Sequence, residues 1–382
     1  MTISRISKEV EPANILHVSA ARTWGGGENH IENLCFELQD DPQVNNLILC
    51  VENGILHQRL LKTDIIFSTA PLTNKMDFRF ILKIGSLCKK KKIDLIHIHD
   101  TTALSLAVMA DHIYDLPPFV FSKKTSFPIR NRKQTLFKYN YRKIKLILCV
   151  SETTRKVTSP SIEDPSRLKV VYHGTRLDNK SANTPFLLRE KLDLPLGKKI
   201  IGNIANHIRA KHLETLIGVA DILINQQKHT QFYFVQIGSF SGRTEDLKKK
   251  IQSLNLQDHI KLLDFLPEAS NFIPQFDITL ITSQSEGIPQ VIYESFYHEV
   301  PVISTRAGGI PEIIKHEENG YLTEKYDYRK IAGHIVSLSS DVGLQKKFTD
   351  NSKKILLENF TTRKMAQQTL KEYKEVINGR SK

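Results

Sequence analysis

Cysteine, tryptophan and long apolar runs are scarce in this sequence of 382 residues. The longest apolar stretches, such as Thr101–Ala110, reach roughly half of the ~18 residues that a membrane-spanning helix needs. The N-terminal stretch Met1–Asn14 is charged and lacks the apolar core of a secretory signal. The cysteines form no Cys-x-x-Cys pair, which disfavours a zinc site or a disulfide framework; they are Cys35, Cys50, Cys88 and Cys149. We therefore expect a cytoplasmic protein in a reducing compartment.

What the chain does have is an excess of positive charge. Lys and Arg number 54 against 41 Asp and Glu, which gives a formal net charge of +13. This excess favours anionic partners, namely nucleotide phosphates, an acidic lipid surface or nucleic acid. Hydrophobic residues make up 40% and charged residues 25% of the chain, as in ordinary globular proteins. At roughly 100–200 residues per domain, the length predicts two domains.

Short β-branched segments alternate with helical patterns along the whole chain. Nearly continuous apolar strands of this kind indicate parallel sheets covered by helices on both faces, which is an α/β doubly wound fold. The predicted strands are Asn14–Ser19, Asn46–Val51, Leu95–Ile98, Phe119–Phe121, Leu146–Val150, Lys169–Tyr172, Lys199–Ala205, Phe232–Ile237, Ile260–Leu263, Ile278–Thr282 and Val300–Ser304.

A polar stretch with Pro and Gly separates two rounds of this alternation. It predicts a Rossmann-like N-terminal domain at 1–180, a linker at 181–198 and a Rossmann-like C-terminal domain at 199–360. We expect a last helix at 361–382 to pack back toward the first domain. In such sheets ligands bind outside the carboxyl ends of the strands, so the chemistry should lie in loops that face a cleft between the domains.

A glycine loop follows the first predicted strand. Gly25, Gly26 and Gly27 precede Glu28 and a helix. Glycines let backbone amides approach an anion closely, with the helix N-terminus behind them. The spacing matches neither a dinucleotide fingerprint nor a P-loop, and a flexible turn is an equal alternative.

Two histidines end the strand Leu95–Ile98. His97 and His99 are two residues apart, so their side chains share one face of the strand. A metal pair is conceivable, but no third ligand is evident nearby in the sequence. At the carboxyl end of the strand, His99 is well placed to hydrogen-bond a sugar hydroxyl, whereas we expect His97 to be a partly buried histidine with its hydrogen bonds satisfied.

The sharpest group of residues is Ser283–Phe296, which holds Glu286, Pro289 and Glu294. Proline suits the first helical position, which places Glu286 in the preceding loop and Glu294 in the helix. The first amides of this helix would be free to bind a diphosphate, and the two acids could bind sugar and ribose hydroxyls. Acids near a helix start can also be simple dipole partners. The amides concerned are those of Gln290, Val291 and Ile292.

Two more loops follow strands of the second half. Arg209 and Lys211 could neutralise a leaving diphosphate, although a basic loop is often only solvated. Gly308 and Gly309 precede Glu312 and a helix, and a tight turn is as plausible there as ligand contact.

The segment Lys123–Lys145 holds nine Lys or Arg residues, no acid, and interleaved Phe and Tyr. This composition fits docking to anionic lipid. A solvated helix face is the alternative. RNA binding is a third possibility, but no recognised nucleic-acid module accompanies the segment, so no nucleic-acid partner is expected.

Taken together, these segments resemble the group 1 glycosyltransferases (family 4), which have the GT-B fold of two Rossmann-like domains facing across a cleft. The match runs in order over nearly the whole chain, and its most specific part is Glu286-x7-Glu294 followed by Gly308-Gly309-x-x-Glu312. The other matching segments are Gly25–Glu28, His97–Asp100, Val171–Asp178, Lys211 with Leu216 to Ala220, Ile237–Gly238, Pro301–Ile303 and Asn319–Leu322.

The resemblance implies retaining transfer of a sugar from a nucleotide-diphosphate sugar to an acceptor hydroxyl, in surface polysaccharide, lipopolysaccharide or glycolipid synthesis. It implies Glu286, His99 and Lys211 as catalytic residues. The chain departs from the family at Asn206, where many members carry arginine; Arg209 could substitute, or Lys211 could act alone. The implied donor-binding residues are Gly26, Gly27, Arg209, Lys211, Glu286, Gly287, Ile288, Pro289, Gln290 and Glu294, and the implied acceptor-side residues are Gly25, Glu28 and His99.

No cofactor beyond the nucleotide sugar is expected, and no metal, since the chain has no Asp-x-Asp motif. No carboxylate can be placed on the far face of the sugar, so same-face attack guided by the leaving phosphate is favoured over a covalent intermediate. The expected partners are a nucleotide sugar, a glycan or lipid-linked acceptor, and an anionic surface on the inner face of a membrane. A sugar-nucleotide epimerase of the same architecture and a non-catalytic carbohydrate- or lipid-binding regulator are the alternatives.

Overall fold

A computed structural model describes residues 11–176 and 183–379. Most of the stretch Met1–Asn14, Asp178 of the family-like segment and the first residues of the predicted linker lie outside the described residues.

The first sheet has seven parallel strands in the order β3-β2-β1-β4-β5-β6-β7. They are β1 Ala13–Val18, β2 Val44–Val51, β3 Phe67–Ala70, β4 Leu95–Ile98, β5 Phe119–Lys123, β6 Ile144–Cys149 and β7 Leu168–Val170. The helices between them are α1 Gly26–Leu38, α2 Ile55–Leu60, α3 Phe78–Lys90, α4 Thr101–Tyr114, α5 Lys133–Tyr139 and α6 Glu152–Thr158.

The second sheet has six parallel strands in the order β10-β9-β8-β11-β12-β13. They are β8 Lys199–Ile204, β9 Phe232–Ile237, β10 Ile260–Leu263, β11 Ile278–Ile281, β12 Val302–Thr305 and β13 Tyr321–Thr323. Its helices are α7 Leu188–Lys191, α8 Leu213–Asp221, α9 Thr244–Ser253, α10 Gln290–Tyr297, α11 Ile310–Ile313, α12 Tyr328–Ser340 and α13 Val342–Asn359. The last helix of the chain is α14 Thr362–Asn378.

Both sheets are covered by helices on both faces, which confirms the predicted α/β doubly wound class. All side chains of β4 and β9 are buried, as expected for central parallel strands without a solvent face. Two strands were not predicted, β3 and β13. Each has at most four residues and lies at a sheet edge, where a single neighbouring strand places little demand on the sequence.

The end of the chain crosses back to the first domain. The Thr175 N–H donates to the Phe360 carbonyl at 2.9 Å, and the Thr362 N–H donates to the Thr175 carbonyl at 3.2 Å. A Cβ on Gly174 would lie 2.3 Å from the carbonyl carbon of Thr361, so the two segments touch through their backbones. Helix α14 then packs on α1 and completes one hydrophobic cluster with the first sheet; its buried members include Met365, Leu370 and Tyr373 with Ile15, Leu34 and Val120.

No helix among the described residues combines the length and the apolar character that crossing a bilayer requires.

Candidate functional site

The loops that follow strands of the two sheets meet between the domains. The Ser126 hydroxyl, after β5, donates to the Glu286 carbonyl at 2.5 Å and lies 3.1 Å from the Ser285 hydroxyl, after β11. A Cβ on Gly287 would lie 2.7 Å from the Lys124 carbonyl oxygen. The Glu286 loop therefore lies against the first domain, at the carboxyl ends of both sheets.

Glu286 forms an ion pair with Lys211, a residue 75 positions earlier in the chain. The Lys211 Nζ donates to Glu286 Oε1 at 2.5 Å, and the Ser283 hydroxyl donates to the same oxygen at 2.6 Å. The side chains of Glu286 and Lys211 are 11% and 23% exposed. The backbones are also tied, because the Gln284 N–H donates to the Ala210 carbonyl at 2.7 Å. The two predicted donor-binding loops are thus one connected unit.

Of the other basic-loop residues, Arg209 opens a 3-10 turn that ends at Lys211, and it is exposed. Asn206, which stands where many family members carry arginine, accepts a hydrogen bond from the Ser239 N–H at 3.0 Å. Asn206 therefore stabilises the loop itself.

Helix α10 begins one residue later than the sequence predicts. Pro289 is its N-cap, with extended backbone, and the Ile292 N–H donates to the Pro289 carbonyl at 3.1 Å. The expectation that the Ile292 amide is free for a ligand is therefore wrong, because the proline carbonyl closes the first turn. Among the described residues, the side-chain oxygen of Gln290 is buried without a hydrogen-bond partner. Glu294 lies one turn further along and is partly exposed.

The second glycine loop, Gly308 and Gly309, packs directly against the backbone of the Glu286 loop. Gly308 has a φ of +55°, and a Cβ there would lie 1.7 Å from the Glu286 carbonyl oxygen. The Gly309 N–H donates to the Gly287 carbonyl at 2.8 Å. Only glycine satisfies both the left-handed backbone and the close approach at position 308. The tight-turn interpretation explains this pair without any direct ligand contact.

On the first domain, the glycine loop starts α1. Gly25 is the N-cap, and a Cβ at Gly26 would meet nothing within 4 Å, so the approach to this helix N-terminus is open. Glu28 lies in the first turn, and burial raises the pKa of its carboxyl. Asp100 caps α4 and also accepts the Ala20 N–H at 2.7 Å, which fixes the loop after β1.

Three buried imidazoles lie together beneath this loop. Nitrogens of His17, His97 and His99 lie within 4.8 Å of one another, so His17 supplies the third histidine that the sequence did not reveal. All six nitrogens already have protein partners. For His97 these are the Tyr373 and Ser122 hydroxyls; for His17 and His99 they are each other, Asn46 and Lys124. An ion would have to displace these bonds, so the geometry is that of a hydrogen-bonded cluster.

Lys124 was not singled out as a site residue, although it lies in the predicted basic segment. Its Nζ donates to the Gly27 carbonyl at 2.9 Å and lies 3.4 Å from His99 Nδ1. Burial lowers the pKa of its ammonium to about 8, while Glu28 and Asp100 act in the opposite direction. The lysine is partly exposed. It therefore joins the glycine loop, His99 and the Gly287 loop at one point of the cleft.

Glu312 forms a second joint between the domains. Its two carboxylate oxygens accept the N–H groups of Glu152 and Thr153, both at 2.8 Å, at the N-terminus of α6. The Tyr172 hydroxyl donates to the same carboxylate at 2.9 Å. A carboxylate of one domain thus caps a helix of the other, where the helix dipole favours negative charge.

Models of two sequence families together match most of the chain. The model for "Glycosyl transferases group 1" matches residues 186–355, and the model for "Glycosyltransferase Family 4" matches residues 24–179. The chain belongs to the group 1 glycosyltransferases.

Relatives and solved structures agree with this assignment. The glycosyltransferase is 19% identical to N-acetyl-alpha-D-glucosaminyl L-malate synthase of Bacillus anthracis, over 79% of this chain and 80% of the relative. It is 22% identical to the UDP-Gal:alpha-D-GlcNAc-diphosphoundecaprenol alpha-1,3-galactosyltransferase of Escherichia coli, over 80% and 83% of the two chains. The structure of Anabaena HepE in complex with UDP and glucose superposes with a TM-score of 0.82 at 19% identity, covering 95% of this chain and 100% of HepE. The predicted GT-B fold is confirmed.

Only part of the basic segment Lys123–Lys145 of this glycosyltransferase is free surface. Lys123 is buried and donates to the Thr125 and Phe127 carbonyls. Lys143 bonds Asp115 and the Leu116 carbonyl. Five of the exposed residues that remain form what we call the basic aromatic patch, namely Phe127, Arg130, Arg132, Lys133 and Phe137; Arg142 and Lys145, at the end of the segment, are exposed as well.

Proposed function

We propose that this glycosyltransferase moves a sugar, with retention of configuration, from a nucleotide-diphosphate sugar to an acceptor hydroxyl. The observation that carries the proposal is the Lys211–Glu286 pair, which lies at the N-terminal end of α10 and against the first domain. A cation, a carboxylate and a helix N-terminus at one interdomain point match a diphosphate joined to a polyhydroxylated ring.

The donor would contact both domains. An ammonium has three N–H groups, and Glu286 takes one from Lys211, which leaves two for the leaving diphosphate. Arg209 and the first amides of α10 would add to this positive end. The Lys211 ammonium and the Ser283 hydroxyl both donate to Oε1 of Glu286, so we propose Oε2 as acceptor for a sugar hydroxyl. His99 and Lys124 would face the same sugar from the first domain.

The chemical step we propose is same-face displacement. The bond between the anomeric carbon and the diphosphate oxygen breaks, and its electron pair stays on the diphosphate. The acceptor oxygen bonds the anomeric carbon from the same face, and the acceptor proton passes to a diphosphate oxygen. Fixed cations and amides stabilise the charge that develops on the leaving group.

The relatives' names support a glycan or lipid-linked acceptor in surface polysaccharide, lipopolysaccharide or glycolipid synthesis. One is named for transfer to a diphosphoundecaprenol-linked sugar. UDP is bound in similar structures, so uridine donors are the first to test.

The test has two stages. A thermal-shift screen of nucleotide diphosphates and nucleotide sugars should raise the melting temperature for one base. With that donor, nucleotide diphosphate should be released only when acceptor extract is added, and NMR of the product should show the anomeric configuration of the donor. Glu286→Gln should abolish the release, whereas Glu358→Gln, an exposed acid of α13, should not. An inverted product, or release that does not need acceptor, would contradict retaining transfer.

We also propose that the basic aromatic patch binds an anionic membrane surface. Phe127 and Phe137 are 53% and 58% exposed, and three cations accompany them. Vesicles with 30% anionic lipid should co-sediment the protein, and the triple change of Arg130, Arg132 and Lys133 to Glu should release it. The matched control changes Lys89, Lys90 and Lys91 to Glu at the exposed end of α3. Equal loss of binding in both triple variants would assign the effect to net charge and contradict membrane binding by the patch.

A further inference from the structure

Two polar residues beneath the cleft have no part in the proposed reaction. Asn46 and His17 lie within strands β2 and β1, whereas His99 follows the carboxyl end of β4. His17 is fully buried, and Asn46 is partly buried. Together with Lys124 they form a continuous series of hydrogen bonds that we call the imidazole chain: Asn46, His17, His99 and Lys124.

The direction of the imidazole chain is set at Asn46. The amide nitrogen of Asn46 lies 3.2 Å from the Leu38 carbonyl, which can only accept a hydrogen bond. The amide oxygen must therefore face His17 Nε2, at 3.0 Å. An oxygen acceptor at this distance requires that His17 carry a proton on Nε2.

That proton fixes the next link. Burial lowers the pKa of His17 to about 4, so at neutral pH the ring is neutral and its Nδ1 is an acceptor. His99 Nε2 lies 3.1 Å from this Nδ1 and must donate to it. Burial also lowers the pKa of His99 well below its usual value, so its own Nδ1 is unprotonated. The Lys124 ammonium, 3.4 Å away, meets an acceptor there.

The groups around the chain favour this neutral state. His97 and His30 face His99, with ring centroids 3.9 and 5.9 Å away. The Lys124 charge also lowers the pKa of His17, His97 and His99. Glu28 and Asp100 act on the lysine and keep it cationic.

We propose that Asn46 and His17 are positioning residues, which fix the tautomer of His99 and through it hold the Lys124 ammonium in the cleft. In the other tautomer, His99 Nδ1–H would point at the lysine N–H groups, and two donors would face each other. Lys124 would then keep only the Gly27 carbonyl. The inference rests on the proposed function for the role of Lys124 at the sugar, but the tautomers themselves do not depend on it.

Histidine-selective 15N NMR of the intact protein at pH 7.5 tests the tautomers directly. We expect the neutral Nε2–H form for both His17 and His99, with their signals assigned from His17→Gln and His99→Gln. A neutral Nδ1–H form or a charged ring at His99 would overturn the inference. The tautomers are read from the unmodified protein, the two variants serve only to assign the signals, and the result does not depend on any donor being accepted.

Asn46→Leu then tests the consequence. Without the oxygen acceptor, the His17 and His99 signals should show mixed tautomers. The transfer kcat should fall about tenfold with little change in the donor KM, because Lys124 loses its orientation. Asn45→Leu, the exposed neighbour on the same strand, should leave both unchanged. Unaltered tautomers in Asn46→Leu would overturn the positioning role. Absence of transfer by the unmodified protein with every donor would instead refute the proposed function.

Discussion

The two faces of the cleft are built on the same kind of parallel sheet but differ in their charge: one presents an ion pair and the other mainly neutral side chains. The second domain offers a charged pair, Lys211 and Glu286, which lies in loops and is partly exposed. The first domain offers neutral imidazoles that are fully buried, with one lysine, Lys124, above them. A leaving diphosphate needs fixed charge, whereas a sugar needs oriented neutral donors and acceptors. The two faces are thus suited to the two halves of one nucleotide sugar.

The largest expected difference between the two faces is their response to acid, because the buried histidines with a lowered pKa belong to the first domain. Burial lowers the pKa of His17 to about 4 and of His173 to about 3, and it also lowers the pKa values of His30, His97 and His99. Below pH 6.5 these histidines bind protons in the unfolded chain but stay neutral in the folded protein. The free energy of unfolding therefore falls as the pH drops from 6.5 toward 4. His17 alone accounts for about 3 kcal/mol of this loss.

Urea unfolding followed by fluorescence of Trp24, the single tryptophan, measures this loss at pH 7.5, 6 and 5. His17→Gln should reduce the pH dependence by the share of one of these five histidines, whereas His229→Gln in the second domain should not change it. A pH dependence that is identical in both variants would show that the imidazoles beneath the cleft do not set the acid sensitivity.

Lys211→Met tests the charged face. We expect kcat for transfer to fall about 10²–10³-fold, because a fixed cation is removed from the position of the leaving diphosphate. Lys325→Met, an exposed lysine of the same domain, serves as the control in acceptor-dependent release of nucleotide diphosphate. A loss below about fivefold would remove Lys211 from the reaction.

The charged face was largely predictable from sequence, since its parts are contiguous blocks. Glu286, Gly287 and Pro289 adjoin in one loop, and Lys211 follows a strand that apolar residues mark clearly. The errors there are small. Helix α10 begins after Pro289 because the proline carbonyl, which sequence patterns do not register, accepts the Ile292 N–H.

The buried imidazoles of the first domain were not predictable in the same way, because they come from strands that are far apart in the sequence. His17 contacts His99 across 82 residues and Asn46 across 29, and neither contact leaves a local pattern. Lys124 shared a basic composition with its neighbours, and only the fold separates it from the exposed Arg130 and Lys133. Sequence patterns record local periodicity, whereas this cluster depends on strand order.

Gly308→Ala tests how rigidly the charged face is held. The left-handed backbone costs a non-glycine residue about 1–2 kcal/mol, and the added Cβ would meet the Glu286 carbonyl oxygen. We expect a loss of at least about 2 kcal/mol in stability, measured by urea unfolding. Gly333→Ala in α12, where a Cβ meets nothing within 4 Å, should instead stabilise the protein by roughly 0.5–1 kcal/mol. Similar effects at both positions would contradict the close approach.

Glu312→Gln tests the joint between the faces. The change removes a charge that accepts the Glu152 and Thr153 N–H groups, and the expected loss is about 1–2 kcal/mol. Glu318→Gln, an exposed acid nearby, is the control. Calorimetry should show the two domains unfolding over a wider temperature range in Glu312→Gln. An unchanged single transition would mean that other contacts couple the domains.

The smallest expected effect is a pH dependence of activity that distinguishes Lys124 from its neighbour Lys123. Burial lowers the pKa of Lys124 to about 8, and its protonated form is the one we propose to act, so activity should be lost as the pH rises through 8. At pH 8 the unmodified enzyme should retain about half of its activity at pH 7. Lys124→Arg keeps its charge across this range, so its activity should stay level to about pH 9. Burial lowers the pKa of Lys123 to about 8 as well. If the loss of activity at alkaline pH persisted unchanged in Lys124→Arg, it would belong to Lys123, whose ammonium donates to the Thr125 hydroxyl. The first domain's face of the cleft would then act through its imidazoles alone.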